Sequence, residues 1–423
     1  MTDTLVASLH TPFGRFTDGS LACEDVDLAE IARIHGTPTY VYSATAIEHA
    51  YDRLDRAYAG VPHLICYAMK ACANLAVLAL LGRRGAGADI VSGGELFRAL
   101  RAGIPADRIV FAGVGKTREE IRQALAAEIL MFTIESPQEL DAIQFVAAEM
   151  GTTARIAIRV NPDVDPQTHP YISTGLKKSK FGVPHEQVVN LYLRAADLPN
   201  VEPCGIQCHI GSQLVHLDPI CDAVDRVSEL AADVARRGIG LRYLDIGGGL
   251  AIRYRGDDPE GPEAVAAHIA NRASALGLSL IMEPGRFLVG NAGALLTRVI
   301  YTKANGARKF VIVDAAMNDL IRPSLYDSFH EIAPVQVRRG ANETVDLVGP
   351  VCESGDFFAH DRPMPPLEPQ DLVAILSAGA YGHVMASNYN ARPRAAEVLV
   401  RGGEVRLVRA RETYEDLVRG EVL

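Results

Sequence analysis

The chain has 423 residues, of which 48% are hydrophobic and 22% are charged, and this length and composition predict a folded protein of two domains. The net charge of −10 and the lack of a basic stripe argue against nucleic-acid binding, and no apolar run approaches the roughly 20 residues that span a bilayer. Met1 to His10 lack a signal-peptide pattern and the seven cysteines are scattered, which favours a cytoplasmic protein with reduced thiols.

Residues 1–43 contain a predicted helix, Leu28–His35, and a predicted strand, Thr39–Tyr42. From residue 44 to residue 286, strands and helices alternate. The strands are short and rich in Val and Ile, as expected where both faces of a sheet are buried. The predicted strands are His63–Met69, Ala88–Ser92, Ile109–Ala112, Leu130–Ile134, Ala154–Val160, Gly205–Ile210, Leu241–Ile246 and Ser279–Met282. The helices between them include Pro137–Met150, for which Ser136 is the predicted N-cap.

Eight such units predict a (β/α)8 TIM-type barrel over residues 44–286, with a doubly wound open sheet as the alternative. After Gly290 the strands follow one another without regular helices, so residues 287–423 are predicted to form a mostly β domain. The strand in residues 1–43 is expected to pair with that domain. The proline-rich stretch Pro363–Pro366 is predicted to be a surface loop.

In a barrel, residues at the carboxyl ends of the strands face the active site. Lys70 ends a buried strand, where a partly desolvated amine can act as a nucleophile or form a Schiff base. The alternative is a lysine that extends to the sheet rim. The other candidates at the strand ends are Asp89, Ser92, Asn161, His209, Ser212, Gly247, Gly248, Gly249 and the run Glu283, Pro284, Gly285 and Arg286.

Each of these residues also has a structural interpretation. His209 could be a core histidine, Ser212 a helix cap, the glycines a turn, and Glu283 with Arg286 an ion pair. Together they match the needs of pyridoxal 5′-phosphate (PLP): an amine for the aldehyde, a carboxylate for the ring nitrogen, a ring that stacks and glycines that hold a phosphate. The sequence therefore predicts PLP on Lys70, and it predicts no metal site.

The predicted β domain adds a second group of candidates. Arg322 and Tyr326 lie in one run, and Tyr381 follows an apolar strand. Cys352 and Glu353 lie in a loop bounded by glycines, an arrangement that suits a proton donor beside a group that binds an amine. The alternative for Cys352 is an inert buried thiol.

At these residues the sequence resembles the fold-type III PLP-dependent decarboxylases, which have the alanine-racemase-like fold, and within them the diaminopimelate decarboxylases. The resemblance covers essentially the whole chain. Cys72 departs from it, because many relatives have asparagine beside the lysine. The matching motifs are Tyr67–Ala71, Ala88–Glu95, Lys180–Gly182, His209–Gln213, Gly247–Gly249, Glu283–Arg286, Met317–Tyr326, Cys352–Asp356 and Ser387–Asn390.

The resemblance implies a homodimer with shared active sites that converts meso-2,6-diaminopimelate to L-lysine and CO2, the last step of lysine biosynthesis. It implies that Lys70 holds PLP, that His209 stacks on the ring, that Glu283 pairs with the ring nitrogen and that Cys352 donates a proton from the partner subunit. The implied cofactor-binding set is Lys70, Asp89, His209, Ser212, Gly248, Gly249, Glu283–Arg286 and Tyr381. The implied substrate-binding set is Arg286, Arg322, Tyr326, Glu353 and Tyr381.

Three other functions are compatible with the pattern. One is a decarboxylase for another substrate, such as D-lysine, D-ornithine or a siderophore precursor. A non-catalytic regulatory relative is a second, although Lys70, Glu283 and Cys352 argue against it. An amino-acid racemase is the third, and the acid at Glu283 argues against that, because a protonated ring favours a fully delocalised carbanion.

Overall fold

The computed structural model describes residues 12–164, 180–338 and 340–423. The residues examined for a signal peptide, Met1 to His10, lie outside these ranges. The chain forms two compact units. The barrel unit comprises Ala50–Ile252 and Asp258–Phe287, and the sheet unit comprises the described residues of Met1–His49, Arg253–Asp257 and Leu288–Leu423. The five residues from Arg253 thus belong to the sheet unit, although the predicted barrel domain of residues 44–286 contains them.

The N-terminal part begins with three short strands that form an antiparallel sheet in the order β1-β2-β3. An amphipathic helix, another strand and a second helix follow. The helix α1 begins at an Asp27 cap, whose carboxylate accepts a hydrogen bond from the Ala29 amide. The elements are β1 (Phe13–Arg15), β2 (Leu21–Cys23), β3 (Val26–Asp27), α1 (Leu28–His35), β4 (Thr39–Ser43) and α2 (Ala44–Ala57).

The barrel unit contains the alternating strands and helices that the sequence predicts. Its strands are β5 (His63–Ala68), β6 (Gly87–Ile90), β7 (Ile109–Phe111), β8 (Met131–Ile134), β9 (Ala154–Asn161), β10 (Val183–Pro184), β11 (Val201–Cys208), β12 (Tyr243–Asp245) and β13 (Ser279–Met282). Its helices are α3 (Leu75–Arg83), α4 (Gly93–Arg101), α5 (Arg118–Ala126), α6 (Pro137–Met150), α7 (His185–Ala196), α8 (Asp218–Arg236) and α9 (Glu263–Leu276), and α10 (Arg286–Val289) follows at its end.

Eight parallel strands close into a ring in the order β5-β6-β7-β8-β9-β11-β12-β13, with β13 pairing back to β5 and the two-residue β10 added beside β9. This closure confirms the predicted (β/α)8 barrel and excludes the open doubly wound sheet. The predicted cap of α6 is also confirmed, because the Ser136 hydroxyl accepts a hydrogen bond from the Glu139 amide. One buried cluster joins side chains from six strands: Cys66, Val110, Met131, Ala157, Cys204 and Ile281.

One strand begins several residues before its predicted start. The strand β11 starts at Val201, four residues before the predicted start at Gly205, and so contains Pro203, a residue type that is disfavoured in central strands. A bulge between Pro203 and Gly205 accommodates the proline within the parallel pairing to β9. The strand ends at Cys208, two residues before the predicted end at Ile210, so His209 lies beyond its carboxyl end.

The sheet unit is built from strands with few helices, as predicted. Its further elements are β14 (Gly293–Asn305), β15 (Arg308–Val313), α11 (Arg322–Tyr326), β16 (Ile332–Pro334), β17 (Glu343–Val348), β18 (Phe357–Met364), β19 (Leu372–Ile375), β20 (Ala396–Arg401), β21 (Glu404–Arg409) and α12 (Tyr414–Leu417). The main strand order is β18-β17-β15-β14-β4-β20-β21, and β19 pairs with both β14 and β16. The N-terminal strand β4 pairs antiparallel with β14 and parallel with β20.

The prediction of a surface loop at Pro363–Pro366 is wrong for Pro363 and Met364. Pro363 and Met364 are the last residues of β18 and pair with Thr344 and Glu343 of β17. A proline is tolerated there because β18 is at the end of the strand order, where one side of the strand needs no hydrogen bonds from its amides. In the part of the chain that the structure describes, no helix has the length and apolar character needed to cross a membrane.

Candidate active site

Lys70 lies just past the end of β5, in a single helical turn formed by Met69–Ala71. Its Nζ atom lies 3.0 Å from Oδ2 of Asp89, which is in the neighbouring strand β6. The Lys70 side chain is 40% exposed, whereas that of Asp89 is fully buried. The ammonium group is therefore anchored by one buried carboxylate and remains accessible at the end of the barrel.

The segment from Glu283 to Gly285 packs against the Lys70 turn. The Ala68 amide donates a hydrogen bond of 3.1 Å to the Pro284 carbonyl oxygen. A Cβ atom on Gly285 would lie 3.2 Å from the Cβ atoms of both Ala68 and Ala71, so a larger residue would press on this turn. Pro284 and Gly285 thus fix the backbone next to the amine.

Glu283 follows strand β13 and is 5% exposed. Its Oε2 atom accepts a hydrogen bond of 3.1 Å from the side-chain amide of Gln207, and its Oε1 atom has no hydrogen-bond partner among the described residues. Burial raises the pKa of Glu283 to about 7, the nearby Asp89 carboxylate adds to this rise, and the Lys70 charge opposes it. This influence of Lys70 indicates that the amine and the carboxyl group lie in the same part of the barrel end.

His209 lies next to the glycine loop that follows β12. The Gly248 amide donates a hydrogen bond of 3.3 Å to His209 Nδ1. Burial lowers the pKa of His209 well below its ordinary value, and the charges of Arg159 and Lys70 lower it further. The imidazole is therefore neutral near pH 7, and a neutral flat ring is suited to stacking on another aromatic ring.

The glycine loop can accept no larger residue at its centre. A Cβ atom on Gly248 would lie 2.4 Å from the Glu283 carbonyl oxygen, and Gly247 and Gly249 have φ angles of 66° and 117°. The backbone of this loop therefore lies close to the backbone of Glu283, which follows strand β13.

Ser212 and Arg286 are neighbours at the same end of the barrel. The Nε and Nη2 atoms of Arg286 lie 3.3 and 3.1 Å from the Ser212 hydroxyl oxygen, to which both can donate. Hydroxyl and guanidinium groups are common ligands of phosphate and carboxylate oxygens. The barrel unit thus brings together all the predicted residues from Lys70 to Arg286.

The remaining predicted residues lie in the sheet unit. Arg322 and Tyr326 are the first and last residues of α11. Arg322 is 5% exposed and donates hydrogen bonds to the Tyr254 hydroxyl at 2.7 Å and to the Ser328 hydroxyl at 3.2 Å. His330 lies at hydrogen-bonding distance from the same guanidinium group. Among the described residues, no carboxylate forms an ion pair with Arg322, so its buried charge is not balanced by a paired carboxylate there.

Cys352 and Glu353 are exposed, which is contrary to the buried-thiol alternative for Cys352. The Cys352 amide donates a hydrogen bond of 2.9 Å to the Asn390 side-chain oxygen. The buried Asp356 accepts hydrogen bonds of 2.7 Å from the amides of Met317 and Val351 and so fixes the loop at both ends. The thiol is therefore presented to solvent from a fixed backbone.

Tyr381 is half-buried and has a φ angle of 56°, a left-handed conformation that a non-glycine residue rarely adopts. Strain of this kind is often found at ligand-binding positions. Across the described residues, no group of three or more His, Cys, Asp or Glu side chains is arranged to hold a metal ion.

The structure adds polar residues that the sequence prediction did not include. Gln207 and Arg159 are buried in barrel strands. The sequence feature that could have identified them is a polar residue within a Val- and Ile-rich run. Asp245, the last residue of β12, is fully buried and accepts a hydrogen bond of 2.9 Å from the Gly247 amide. Tyr254 gives no signal in the sequence, because its contact with Arg322 joins distant segments.

The residues at the barrel end fit PLP. A partly exposed amine is available at Lys70, and a buried carboxylate oxygen of Glu283 has no donor among the described residues. The glycine loop brings backbone next to Glu283, and Ser212 with Arg286 provides a hydroxyl and a cation for a phosphate. Each chemical group of the cofactor thus has a complementary group at this end of the barrel.

Comparisons with known proteins agree with this fit. The profile of the pyridoxal binding domain of pyridoxal-dependent decarboxylases matches residues 44–290. The diaminopimelate decarboxylase of Aquifex aeolicus is 49% identical over 410 residues, or 97% of each chain, and that of Pseudomonas aeruginosa is 52% identical over 408 residues, or 96% of this chain and 98% of the relative. The crystal structure of diaminopimelate decarboxylase from Helicobacter pylori complexed with L-lysine matches with a TM-score of 0.90 at 45% identity, covering 93% of this chain and 98% of that chain. The chain therefore belongs to the diaminopimelate decarboxylase family of pyridoxal-dependent decarboxylases, whose cofactor is PLP.

Proposed function

We propose that the protein decarboxylates meso-2,6-diaminopimelate to L-lysine and CO2. The observation that carries this proposal, beside the family, is the buried Arg322 guanidinium, which binds two hydroxyl groups and forms no ion pair with a carboxylate among the described residues. A buried cation without a counter-charge is costly, and a carboxylate ligand would remove that cost. Diaminopimelate supplies such a group, because it keeps a second carboxylate at its distal end.

The barrel residues are assigned to the cofactor. Lys70 would hold PLP through its amine, Glu283 would pair with the ring nitrogen and His209 would stack on the ring. Gly248, Gly249, Ser212 and Tyr381 are assigned to the phosphate. When bound, PLP supplies the electron sink that accepts the electron pair left on the α-carbon after CO2 departs. The Glu283 carboxylate stabilises the positive charge on the ring nitrogen, which strengthens that sink.

Cys352 is assigned as the proton donor. Loss of CO2 leaves the α-carbon one proton short, and the Cys352 thiol transfers a proton to it and becomes a thiolate. The exposed position of the thiol supports this assignment, because the proton must reach a bound substrate and then be replaced from solvent. The six other cysteines are buried or half-buried.

The distal end of the substrate is assigned to charged groups of the sheet unit and to Arg286. Arg322 and Arg286 can each form a forked pair with a carboxylate, and Glu353 can pair with the distal ammonium group. Tyr326 and Tyr381 add hydroxyl groups. A substrate such as D-lysine has no distal carboxylate and would leave Arg322 unpaired, which is how the site would discriminate against it.

We also propose that the enzyme is a homodimer in which the loop of Cys352 and Glu353 completes the active site of the partner subunit. Both side chains are exposed in the single chain, which supports a role at an interface.

A substrate panel tests the proposed reaction. Purified protein is incubated with PLP and either meso-diaminopimelate, D-lysine or L-ornithine, and the released CO2 is measured. We expect CO2 release from meso-diaminopimelate to exceed that from the other two by at least about 100-fold, because each lost charge pair costs roughly 1.5 to 3 kcal/mol. Equal rates on all three amino acids would reject the proposed substrate.

A further inference from the structure

Three buried carboxyl groups meet at the end of the barrel, and only one of them is paired with a cation. Asp89 forms the ion pair with Lys70, whereas Asp245 and Glu283 have no ion-pair partner among the described residues. Asp245 is fully buried at the end of β12, where the strand register places it beside Gln207 of β11 and Ile281 of β13. It lies one strand away from the carboxyl group assigned to the ring nitrogen.

The hydrogen bonds of the two unpaired carboxyl groups leave one oxygen of each without a donor. Asp245 Oδ1 accepts from the Gly247 amide at 2.9 Å, and Glu283 Oε2 accepts from the Gln207 side-chain amide at 3.1 Å. Asp245 Oδ2 and Glu283 Oε1 are buried and receive no hydrogen bond within the described part of the chain. The two side chains are within hydrogen-bonding reach of each other, a bond that requires a proton on one of them.

The surrounding charges do not allow both groups to be ionised. Asp89 adds negative charge, and the thiols of Cys66 and Cys208 that face the pair are neutral, since burial and the nearby carboxylates raise their pKa values. The two cations in reach, Lys70 and Arg159, act on Glu283 and favour its ionised form. Two buried carboxylates at hydrogen-bonding distance therefore share one proton.

The same surroundings decide which group carries the proton. Burial and the Glu283 charge raise the pKa of Asp245 well above its ordinary value. The pKa of Glu283 rises only to about 7, because Lys70 and Arg159 counteract its burial and the Asp89 charge. The proton accordingly lies on Asp245, which then donates a hydrogen bond, while Glu283 is the acceptor.

We propose that Asp245 is a positioning residue for the cofactor: it remains protonated at neutral pH and donates its hydroxyl to Glu283, which keeps Glu283 available as the carboxylate for the PLP ring nitrogen. The proposal rests on the assigned role of Glu283. Gln207 also donates to Glu283, so side chains of two neighbouring strands, β11 and β12, hold this carboxylate and fix its orientation.

Infrared spectroscopy of the apoenzyme tests the shared proton without any activity measurement. At pH 7 the carbonyl stretch of a protonated, buried carboxyl group is expected in the wild-type protein and should be lost in Asp245→Asn. The control is Asp346→Asn, because Asp346 is a buried carboxylate in an ion pair with Arg308. The control difference spectrum should lack this band. If the difference spectrum between the wild type and Asp245→Asn also lacks the band, the variant has kept the protonated carboxyl group and the proposal is overturned.

Kinetics of the holoenzyme test the positioning role. Asparagine also donates to Glu283 and accepts from Gly247, so Asp245→Asn should retain kcat within about threefold and keep the acid limb of its pH profile. Asp245→Ala removes the hydrogen-bond donor, so Glu283 should take up a proton more readily. The acid limb of the pH profile should therefore move about one pH unit higher, and kcat should fall about tenfold near pH 7. If the limb instead moved to lower pH in Asp245→Asn, Asp245 would be an ionised carboxylate and the proposal would be wrong.

A third variant separates this proposal from the role of Glu283. Glu283→Gln should change the absorbance of the bound cofactor and lower kcat. Suppose that the infrared band is lost in Asp245→Asn but Glu283→Gln retains the wild-type absorbance and kcat. The shared proton would then exist, but Glu283 would not pair with the ring nitrogen, and its assigned role would be wrong. If Asp245→Ala does not fold, the infrared result and the Asp245→Asn profile decide alone.

Discussion

Arg322 and Tyr254 contact each other in two ways: the guanidinium donates a hydrogen bond of 2.7 Å to the tyrosine hydroxyl, and its central carbon lies 5.0 Å from the centre of the tyrosine ring. Both interactions orient the cation without neutralising it. The Arg322 charge is therefore left without a paired carboxylate, as its proposed role in binding a distal carboxylate requires. Because Tyr254 is 68 residues away in the chain, this relationship depends on the folded sheet unit.

This arrangement predicts that Tyr254→Phe weakens substrate binding. The variant keeps the ring under Arg322 and loses the hydrogen bond, which is worth about 1 kcal/mol, so KM for meso-diaminopimelate should rise about fivefold with little change in kcat. Any residual turnover of D-lysine should be unaffected, because that compound has no distal carboxylate. Steady-state kinetics with both substrates would check this. An equal loss on both would mean that Tyr254 supports the site as a whole.

The exposed thiol gives a second prediction. Cys352→Ala should retain the absorbance of lysine-bound PLP, since the thiol is not assigned to the cofactor, and kcat should fall at least about 100-fold through loss of the proton donor. Cys221→Ala is the matched control, because Cys221 is the half-buried cysteine on helix α8. That variant should have wild-type kcat. Full turnover in Cys352→Ala would reject the proton-donor role.

Lys70 gives a third prediction, for which Lys70→Arg is the best variant. Arginine keeps a positive charge beside the fully buried Asp89, whereas Lys70→Ala would leave that carboxylate unpaired and destabilise the protein. Neither variant has the primary amine, so both should lack the absorbance of lysine-bound PLP and any decarboxylation. Lys309→Ala, which removes a half-exposed lysine paired with Glu343, should retain both. Normal absorbance in Lys70→Arg would place the cofactor on another lysine.

The barrel could be predicted because its strands are encoded locally. Eight Val- and Ile-rich runs alternate with helices whose caps, such as Ser136, are readable from neighbouring residues. The errors occur where tertiary structure overrides a local preference. Pro203 lies in the central strand β11 because a bulge accommodates it, and Pro363 lies in β18 because that strand is at the end of the sheet.

The candidate site was predictable to the extent that it depends on strand ends. Lys70, Asp89 and Glu283 follow from the rule that barrel residues at carboxyl strand ends face the active site. Gln207 and Tyr254 do not follow from it, because each matters through a partner that the sequence does not place nearby. Gln207 reaches Glu283 across 76 positions of the chain, and only the order of strands in the closed ring brings them together.

The proposed dimer predicts complementation between two inactive variants. Lys70→Arg and Cys352→Ala are purified separately, mixed under conditions that exchange subunits, and assayed together. After exchange, half of the dimers are hybrids of the two variants. If each active site takes Lys70 from one subunit and Cys352 from the other, every hybrid has one intact site, so roughly a quarter of wild-type activity should return. If the mixture stays inactive although subunit exchange is shown, for example by tagged subunits, each site uses residues of one chain.

The final prediction concerns the pH dependence of stability and involves Asp319, which is buried in the sheet unit. Its Oδ2 atom accepts a hydrogen bond of 3.0 Å from the Ala316 amide, and burial raises the pKa of Asp319 to about 7. In the unfolded chain the carboxyl group titrates near pH 4, as Asp does in peptides. Between these two values the folded protein keeps a proton that the unfolded chain has released, so the contribution of Asp319 to the free energy of unfolding decreases as pH rises from about 4 to about 7.

Asp319→Asn removes this titration and can still accept the hydrogen bond from Ala316. The free energy of unfolding of the wild type, relative to that of Asp319→Asn, should therefore decrease between pH 5 and pH 8 by an amount on the order of 2 to 4 kcal/mol. Urea unfolding of both apoproteins across this range measures the difference. Asp107→Asn, at an exposed position on the barrel unit, should leave the shape of the pH curve unchanged. Parallel curves for the wild type and Asp319→Asn would show that Asp319 is already ionised at pH 5 in the folded protein.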